Sequence, residues 1–305
     1  MYRLFALLIG LLPLAGPLAH AQMNATIVFD GGRYIGPGDK VSYTAWWGLR
    51  GYSQAFAQPG TGIAIRIVRD SDSTETDIVI LSDGNLDVAA ADSFCSATTC
   101  KVRTIYDQTA GGACSGSCDL VQATAGNRPL LVLTGGGGSG TRPYLQCGPS
   151  QGGCELASVG TYTADASNLL SISYVGLRVG AGAATNRLVG NQAANAIGVI
   201  GGVPDVWGVS GVGNSAGTDD AWHATNGTIT DVAFDTINNT DGSETSGTGT
   251  VNNTAGVWKV MDMIGTAATL RFGEAGFQDD ANWSAASRTS LCHNQRLYWG
   301  IAGTC

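Results

Sequence analysis

The fold is decided by residues 63–108, which open with IAIRIVRDSDSTETDI (63–78) and close with FCSATTCKVRTIYDQ (94–108). Ile63, Ile65 and Ile67 alternate with Ala64, Arg66 and Val68, the period of two that marks a strand. The polar run Asp70 to Thr76 suits a turn. Asp77 to Leu81 returns to apolar residues, so the two segments read as a hairpin. Val102, Thr104 and Tyr106 alternate again, and Asp107-Gln108 ends that strand. Between them, Asn85 to Phe94 is alanine-rich and reads as a short helix, with Asp83 or Asn85 available as its cap.

Strand signals continue outward from this stretch. Tyr43 to Tyr52 is an aromatic cluster. Leu130 to Leu133 reads as a short buried strand, and Gly135 to Gly138 as a flexible loop, because no helix opens there to cradle a phosphate. Leu169–Val179, Arg187–Val189, Ala196–Ile200, Val206–Val209 and Trp222–Asp235 read as successive strands. Thr236 to Thr254 is a polar hairpin region centred on Asp241-Gly242. Trp258–Ile264 and Thr269–Phe272 follow, and Asp279 to Leu297 reads as a late helix with Ser284 as a cap. There are 45 glycines in 305 residues, about twice the usual share. Charged residues are scarce, and no long pattern of period 3.6 occurs before residue 275. These features predict an all-β chain, a sandwich of two antiparallel sheets with one or two short helices. Its expected core includes Ile65, Ile67, Val102, Ile172, Tyr174, Phe234 and Leu270.

The chain begins MYRLFALLIGLLPLAGPLAHA. One arginine, an apolar run broken by two prolines and the small-x-small end Ala19-His20-Ala21 describe a secretory signal peptide over residues 1–21. The expected address is secreted or periplasmic, with no membrane span in the mature chain. No interior linker divides the rest, so a single sandwich domain is expected over 22–305. The net charge is −8, and removal of the leader makes it one unit more negative. An acidic, lysine-poor protein is a poor partner for nucleic acid. A neutral polysaccharide or glycan is indifferent to that charge.

All eight cysteines, Cys95, Cys100, Cys114, Cys118, Cys147, Cys154, Cys292 and Cys305, lie beyond the leader. An even count behind a signal peptide implies disulfides. Their spacing suggests four local loops, although eight cysteines allow many connectivities. Zinc is the weaker reading: only His223 and His293 follow the leader, and no CxxC pair occurs. Asp219, Asp220, Asp279 and Asp280 lack the spacing of a calcium loop. No cofactor is expected.

The run FCSATTCKVRTIYDQ, with SDSTETDI upstream and a Gly/Ala-rich loop downstream, resembles the N-terminal part of the catalytic domain of fungal α-L-arabinofuranosidase B enzymes (glycoside hydrolase family 54). Those enzymes carry a closely similar Phe-Cys-x-x-Thr-Thr-Cys…Ile-Tyr-Asp-Gln run. The resemblance covers about Leu49 to Pro129. Beyond that it widens into a general likeness to concanavalin/laminin-G-type jelly rolls. It implies a Cys95–Cys100 disulfide and hydrolysis of terminal arabinofuranosyl residues by a retaining mechanism, which needs two carboxylates about 5–5.5 Å apart.

In the resembling enzymes the nucleophile is a Glu in an Asp-Met-Glu-Asn stretch, and the acid/base is an Asp after a glycine pair. Here Asp205, in Val203-Pro204-Asp205-Val206-Trp207, matches the first Asp, but Trp207 stands where the Glu is required. Gly273-Glu274 matches the Gly-Asp position with one more methylene. The family's adjacent cysteine pair has no counterpart. Asp205 as nucleophile and Glu274 as acid/base are therefore the catalytic candidates. The competing reading makes Asp205 a turn acid and Glu274 a surface residue at a strand end. Trp46, Trp207 and Trp222 are the candidate sugar-stacking aromatics, with core packing the simpler role for Trp46. Asp107 is expected to accept backbone N–H bonds in the following loop. Two functions remain open: an arabinofuranosidase-like hydrolase, and a non-catalytic sandwich that binds or displays glycans.

Overall fold

A computed structural model describes residues 29–60, 62–109, 111–148, 154–163, 170–179, 186–191, 196–200, 206–209, 215–216, 223–229, 234–238, 243–247, 255–263, 269–279, 283–303 and 305. Among these, 18 strands join in one hydrogen-bonded antiparallel network, and Phe29–Asp30 with Arg33–Tyr34 forms a separate two-stranded hairpin. The expected sandwich is present, with a difference. Its layers are continuous, because strands such as Leu156–Ser158 pair with both Trp258–Met263 and Leu120–Val121. The sheet curls on itself and encloses one large core. Ile65, Ile67, Val102, Ile172, Tyr174 and Leu270 are all fully buried in it; the side chain of Phe234 lies outside the described residues.

The strand Thr269–Asp279 is the hub. It pairs with Leu170–Val179, with Ala45–Gly48 and with Arg142–Cys147. Leu270, Phe272, Ala275 and Phe277 face the main core. Phe277 stacks on Trp258 with ring centroids 3.9 Å apart, an aromatic pair worth about 0.5–1.5 kcal/mol beyond its buried area. Its other face is covered too: Tyr43, Trp46, Trp283 and Leu291 form a second cluster beside it. A strand buried on both faces reads as a continuous apolar run and not as an alternation. That is why the sequence marks only Thr269–Phe272, while the strand runs to Asp279.

Two α-helices occur among the described residues, α1 (Val88–Phe94) and α2 (Ala285–Trp299). Helix α1 starts three residues later than expected, capped by Asp87, whose carboxylate accepts from Ala90 N at 2.9 Å. Asn85 and Leu86 are instead held in β-bridges to Arg50 and Ile80. Helix α2 also starts late. Asp279 belongs to the hub strand, and Ser284 caps the helix by accepting from Ser287 N. The glycine run departs from expectation as well. The strand Leu130–Gly136 includes its first half, and Gly137 sits at φ 69° under the end of α2, where a Cβ would lie 2.0 Å from the Trp299 carbonyl oxygen. The run is a seat for a helix end, not a free loop.

The expected Thr236–Thr254 hairpin has its strands at Phe234–Asn238 and Ser243–Gly247; the Asp241-Gly242 turn lies outside the described residues, as does the leader. The disulfides are the four local pairs: Cys95–Cys100, Cys114–Cys118, Cys147–Cys154 and Cys292–Cys305.

Candidate active site

Glu274 lies in the middle of the hub strand, fully buried. Opposite it, Val175 pairs with Glu274 while Gly176 pairs with Phe272. Gly273 is therefore an extra residue, a bulge that re-aims the next side chain. Only glycine fits there, since a Cβ would come within 2.7 Å of the Trp299 ring. The bulge turns Glu274 toward Arg50 and the end of α2.

Each carboxylate oxygen of Glu274 accepts two hydrogen bonds. Oε1 takes Arg50 Nη2 at 2.8 Å and Gln295 Nε2 at 2.9 Å. Oε2 takes Arg50 Nε and, at 2.9 Å, Trp299 Nε1. The Arg50 fork is bidentate, the strongest arrangement for this pair. Burial works against the charge on Arg50, but Glu274 outweighs it and holds the guanidinium above its ordinary range. The guanidinium also stacks on the Tyr298 ring at 4.6 Å, and Arg142 covers that ring at 4.0 Å. Burial pushes the Tyr298 hydroxyl up to about 12, so it stays protonated and donates to Asn85 Oδ1 at 2.9 Å.

This environment corrects the surface, strand-end reading of Glu274. It also bears on the acid/base assignment. A general acid must reach the glycosidic oxygen; this carboxylate has no exposed atom, and four donors from Arg50, Gln295 and Trp299 already occupy it. Trp46 is corrected as well. It is fully buried, in a strand whose four residues are all buried, and a ring without exposed atoms cannot stack on a sugar. Trp207 lies in the strand Val206–Val209, paired with Val199 and Ser215. Asp205 and Trp222 lie outside the described residues, and so does the spacing of the Asp205–Glu274 pair.

Sequence reasoning missed Arg50, Gln295 and Trp299. One signal was present: Arg50 is a lone charge within AWWGLRGY, and a charge in such a run needs a buried partner. Asp107 behaves as expected. Its Oδ1 accepts from Trp46 N at 3.1 Å and Thr109 N at 3.0 Å. Burial raises its carboxyl above the ordinary range, and these bonds oppose that. Gln108 is buried and works like a missing strand. It donates to the carbonyls of Gly48 and Arg50 at 3.0 and 3.1 Å and accepts from Tyr52 N at 2.8 Å.

Residues 44–128 match the family model described as alpha-L-arabinofuranosidase B, catalytic. The chain resembles the catalytic domain of α-L-arabinofuranosidase B. The relative of that name from Aspergillus oryzae is 47% identical over 53 residues, which are 17% of this chain and 10% of that protein. A crystal structure of an arabinofuranosidase complexed with arabinofuranosyl-alpha-1,2-xylobiose superposes with a TM-score of 0.65 at 17% identity, over 87% of this chain and 65% of that one. A GH54 α-L-arabinofuranosidase soaked with a cyclic sulfate inhibitor gives 0.64 at 18% identity, over 87% and 66%. The chain thus spans a tenth of the curated relative and about two thirds of each solved chain. The fold it shares with the GH54 enzymes is the curled sandwich described above.

Proposed function

We propose that this protein acts on glycans as an α-L-arabinofuranosidase, releasing terminal arabinofuranosyl residues. The observation that carries the proposal is the coincidence of two matches: the arabinofuranosidase B segment at 44–128, and a shared fold across 87% of the chain. The chemistry is retaining hydrolysis. One carboxylate attacks the anomeric carbon and the glycosidic bond breaks as the second gives its proton to the leaving oxygen. Water, activated by that second group, then releases the sugar. On this reading Asp205 is the nucleophile and Glu274 the acid/base, a role that requires Glu274 to give up some of its four donors. The protein is proposed to be exported by its leader, cut near Gln22, as one sandwich domain; its four disulfides suit an oxidising compartment.

A second reading has a specific observation in its favour. It is a sandwich that binds arabinofuranosyl-bearing polysaccharide without cleaving it, through Trp207 and Trp222. The four donors on Glu274 favour it, because they leave no lone pair for a substrate. Release of p-nitrophenol from p-nitrophenyl α-L-arabinofuranoside by the purified protein separates the two. Turnover that disappears in Asp205→Asn while the fold persists supports the hydrolase. No turnover by the wild type, with retention on arabinoxylan lost in Trp207→Ala, supports the binding protein.

A further inference from the structure

A polar groove of about 550 Å³ is lined chiefly by Arg33, Tyr34, Gln54, Ala57, Gln58 and Ser82. Its volume falls within the range of roughly 300–1,000 Å³ typical of ligand clefts. Three separate segments form its walls: the Phe29–Tyr34 hairpin, the turn 53–58 and the turn 81–84. Tyr34 ties them together. Its hydroxyl donates to the Gly51 carbonyl at 2.6 Å, and Gly51 N donates to the Gly84 carbonyl at 2.9 Å. Asp39 adds a second tie, its Oδ2 accepting from both Gly36 N and Gln54 N at 2.8 Å. These bonds anchor the walls to the backbone at Gly51 and to the Asp39 carboxylate beside them, so a ligand spends little binding energy on ordering the groove.

The lining has a definite chemistry. Two side-chain amides, Gln54 and Gln58, stand at the rim. Gln58 Nε2 donates to the Gln54 carbonyl at 2.9 Å, which holds the pair together. An amide carries both donors and an acceptor, the combination that neighbouring hydroxyls of a sugar require. Arg33 and Ser82 add a cationic donor and a hydroxyl. Tyr34 and Ala57 lie beneath the lining, 1% and 2% exposed, and set the depth of the groove without offering a ring face. Among the described lining residues the only charged side chain is Arg33, which a single neutral chain accepts more readily than a polyanion needing several cations.

We propose that this groove is a second glycan site, holding a short segment of a neutral polysaccharide chain and keeping the protein on its substrate. The choice of a glycan rests on the reading given under Proposed function; the groove itself does not depend on hydrolysis. The test is affinity electrophoresis of the full chain in gels cast with arabinoxylan, linear xylan or polygalacturonate. The variants are Gln54→Ala/Gln58→Ala and Ser82→Trp, which removes no bond and fills the groove. Both leave the backbone ties of Asp39 and Gly51 in place, and thermal melting checks the fold. Retardation of the wild type by a neutral polysaccharide, weakened about tenfold or more in both variants, is the expected result. Equal retardation of wild type and variants overturns the proposal, as does retardation by polygalacturonate alone or none in any gel. Turnover of the aryl arabinofuranoside by the wild type is read in parallel. Groove-dependent retention without turnover sinks the hydrolase and leaves the groove standing; turnover with groove-independent retention does the reverse.

Discussion

The segment that resembles a known family and the centre that its chemistry would need are built differently. Residues 94–108 form a local object. Cys95 and Cys100 close a loop of five residues, and Asp107 and Gln108 bond backbone groups of the neighbouring strand, Trp46 N, Gly48 O and Arg50 O. Every recognisable residue there holds the scaffold. The Glu274 centre is assembled from a distance: Arg50 is 224 positions away, Trp299 25 and Gln295 21. A familiar motif in this chain therefore testifies to fold, and fold alone does not give function.

Glu274→Ala should have the largest effect on that contrast. It leaves Arg50 buried and charged with no partner, which costs about 3–5 kcal/mol and is read as a loss of denaturation free energy in urea. The double variant Arg50→Met/Glu274→Leu should recover most of that loss, since a buried pair replaced by apolar residues is often neutral. If Glu274→Gln instead keeps wild-type stability and loses turnover, the centre is catalytic after all.

The disulfides test whether the local motif is also energetically local. Opening the 13-residue Cys292–Cys305 loop should cost about 3 kcal/mol, and opening the 5-residue Cys95–Cys100 loop about 2, because closure entropy grows slowly with length. Paired Cys→Ala variants compared by thermal melting give the order. Equal or inverted losses would mean that strain or contacts outweigh chain entropy here.

Much of the scaffold was legible. Strands such as Cys100–Ile105 alternate buried and half-buried positions over most of their length, so a period of two survives in their sequence. The hub strand Thr269–Asp279 is buried on both faces and lacks that period, so its second half was missed. The start of α2 was misplaced for a related reason: Asp279 looks like a helix-opening acid, but its backbone N–H donates to Thr44 Oγ1 at 2.9 Å and its carboxylate is held by Tyr162. The candidate site was legible only in residue type. Gly273-Glu274 was identified as notable, yet nothing near it in sequence reveals that Arg50, Gln295 and Trp299 surround it. Trp46 was ambiguous because an aromatic beside a turn serves core and sugar platform equally well until its exposure is known.

Gln108→Ala should fall next. It strips two buried carbonyls and one N–H of their partner at once. The cost should be about 2 kcal/mol, within the range for leaving a buried polar group unpaired. Gln108→Glu is the sharper probe, since it keeps the shape and loses the donors. If it is as stable as wild type, the two carbonyls have found other donors and the strand-like role of Gln108 is wrong.

The smallest effect should come from the ion pair that looks most like the central one. Arg66 grips Asp77 with two bonds of 2.8 Å, the same fork that Arg50 makes on Glu274, but the side chains are 40% and 30% exposed. Water screens such a pair and its two side chains lose freedom, so it is worth about 0.2–1 kcal/mol. The Arg66 bonds hold the Asp77 carboxyl below its ordinary range, with burial opposing them and Tyr106 assisting. The sign follows from that depression: the unfolded chain takes up the proton first as pH falls. The contribution is therefore complete above the ordinary carboxylate range and is lost as pH drops through the depressed folded value. Asp77→Asn should flatten that part of the stability–pH curve and change the neutral-pH melting temperature little, and added salt should shrink even this difference. A loss as large as that of Glu274→Ala would show that geometry, not burial, sets the worth of an arginine fork in this fold.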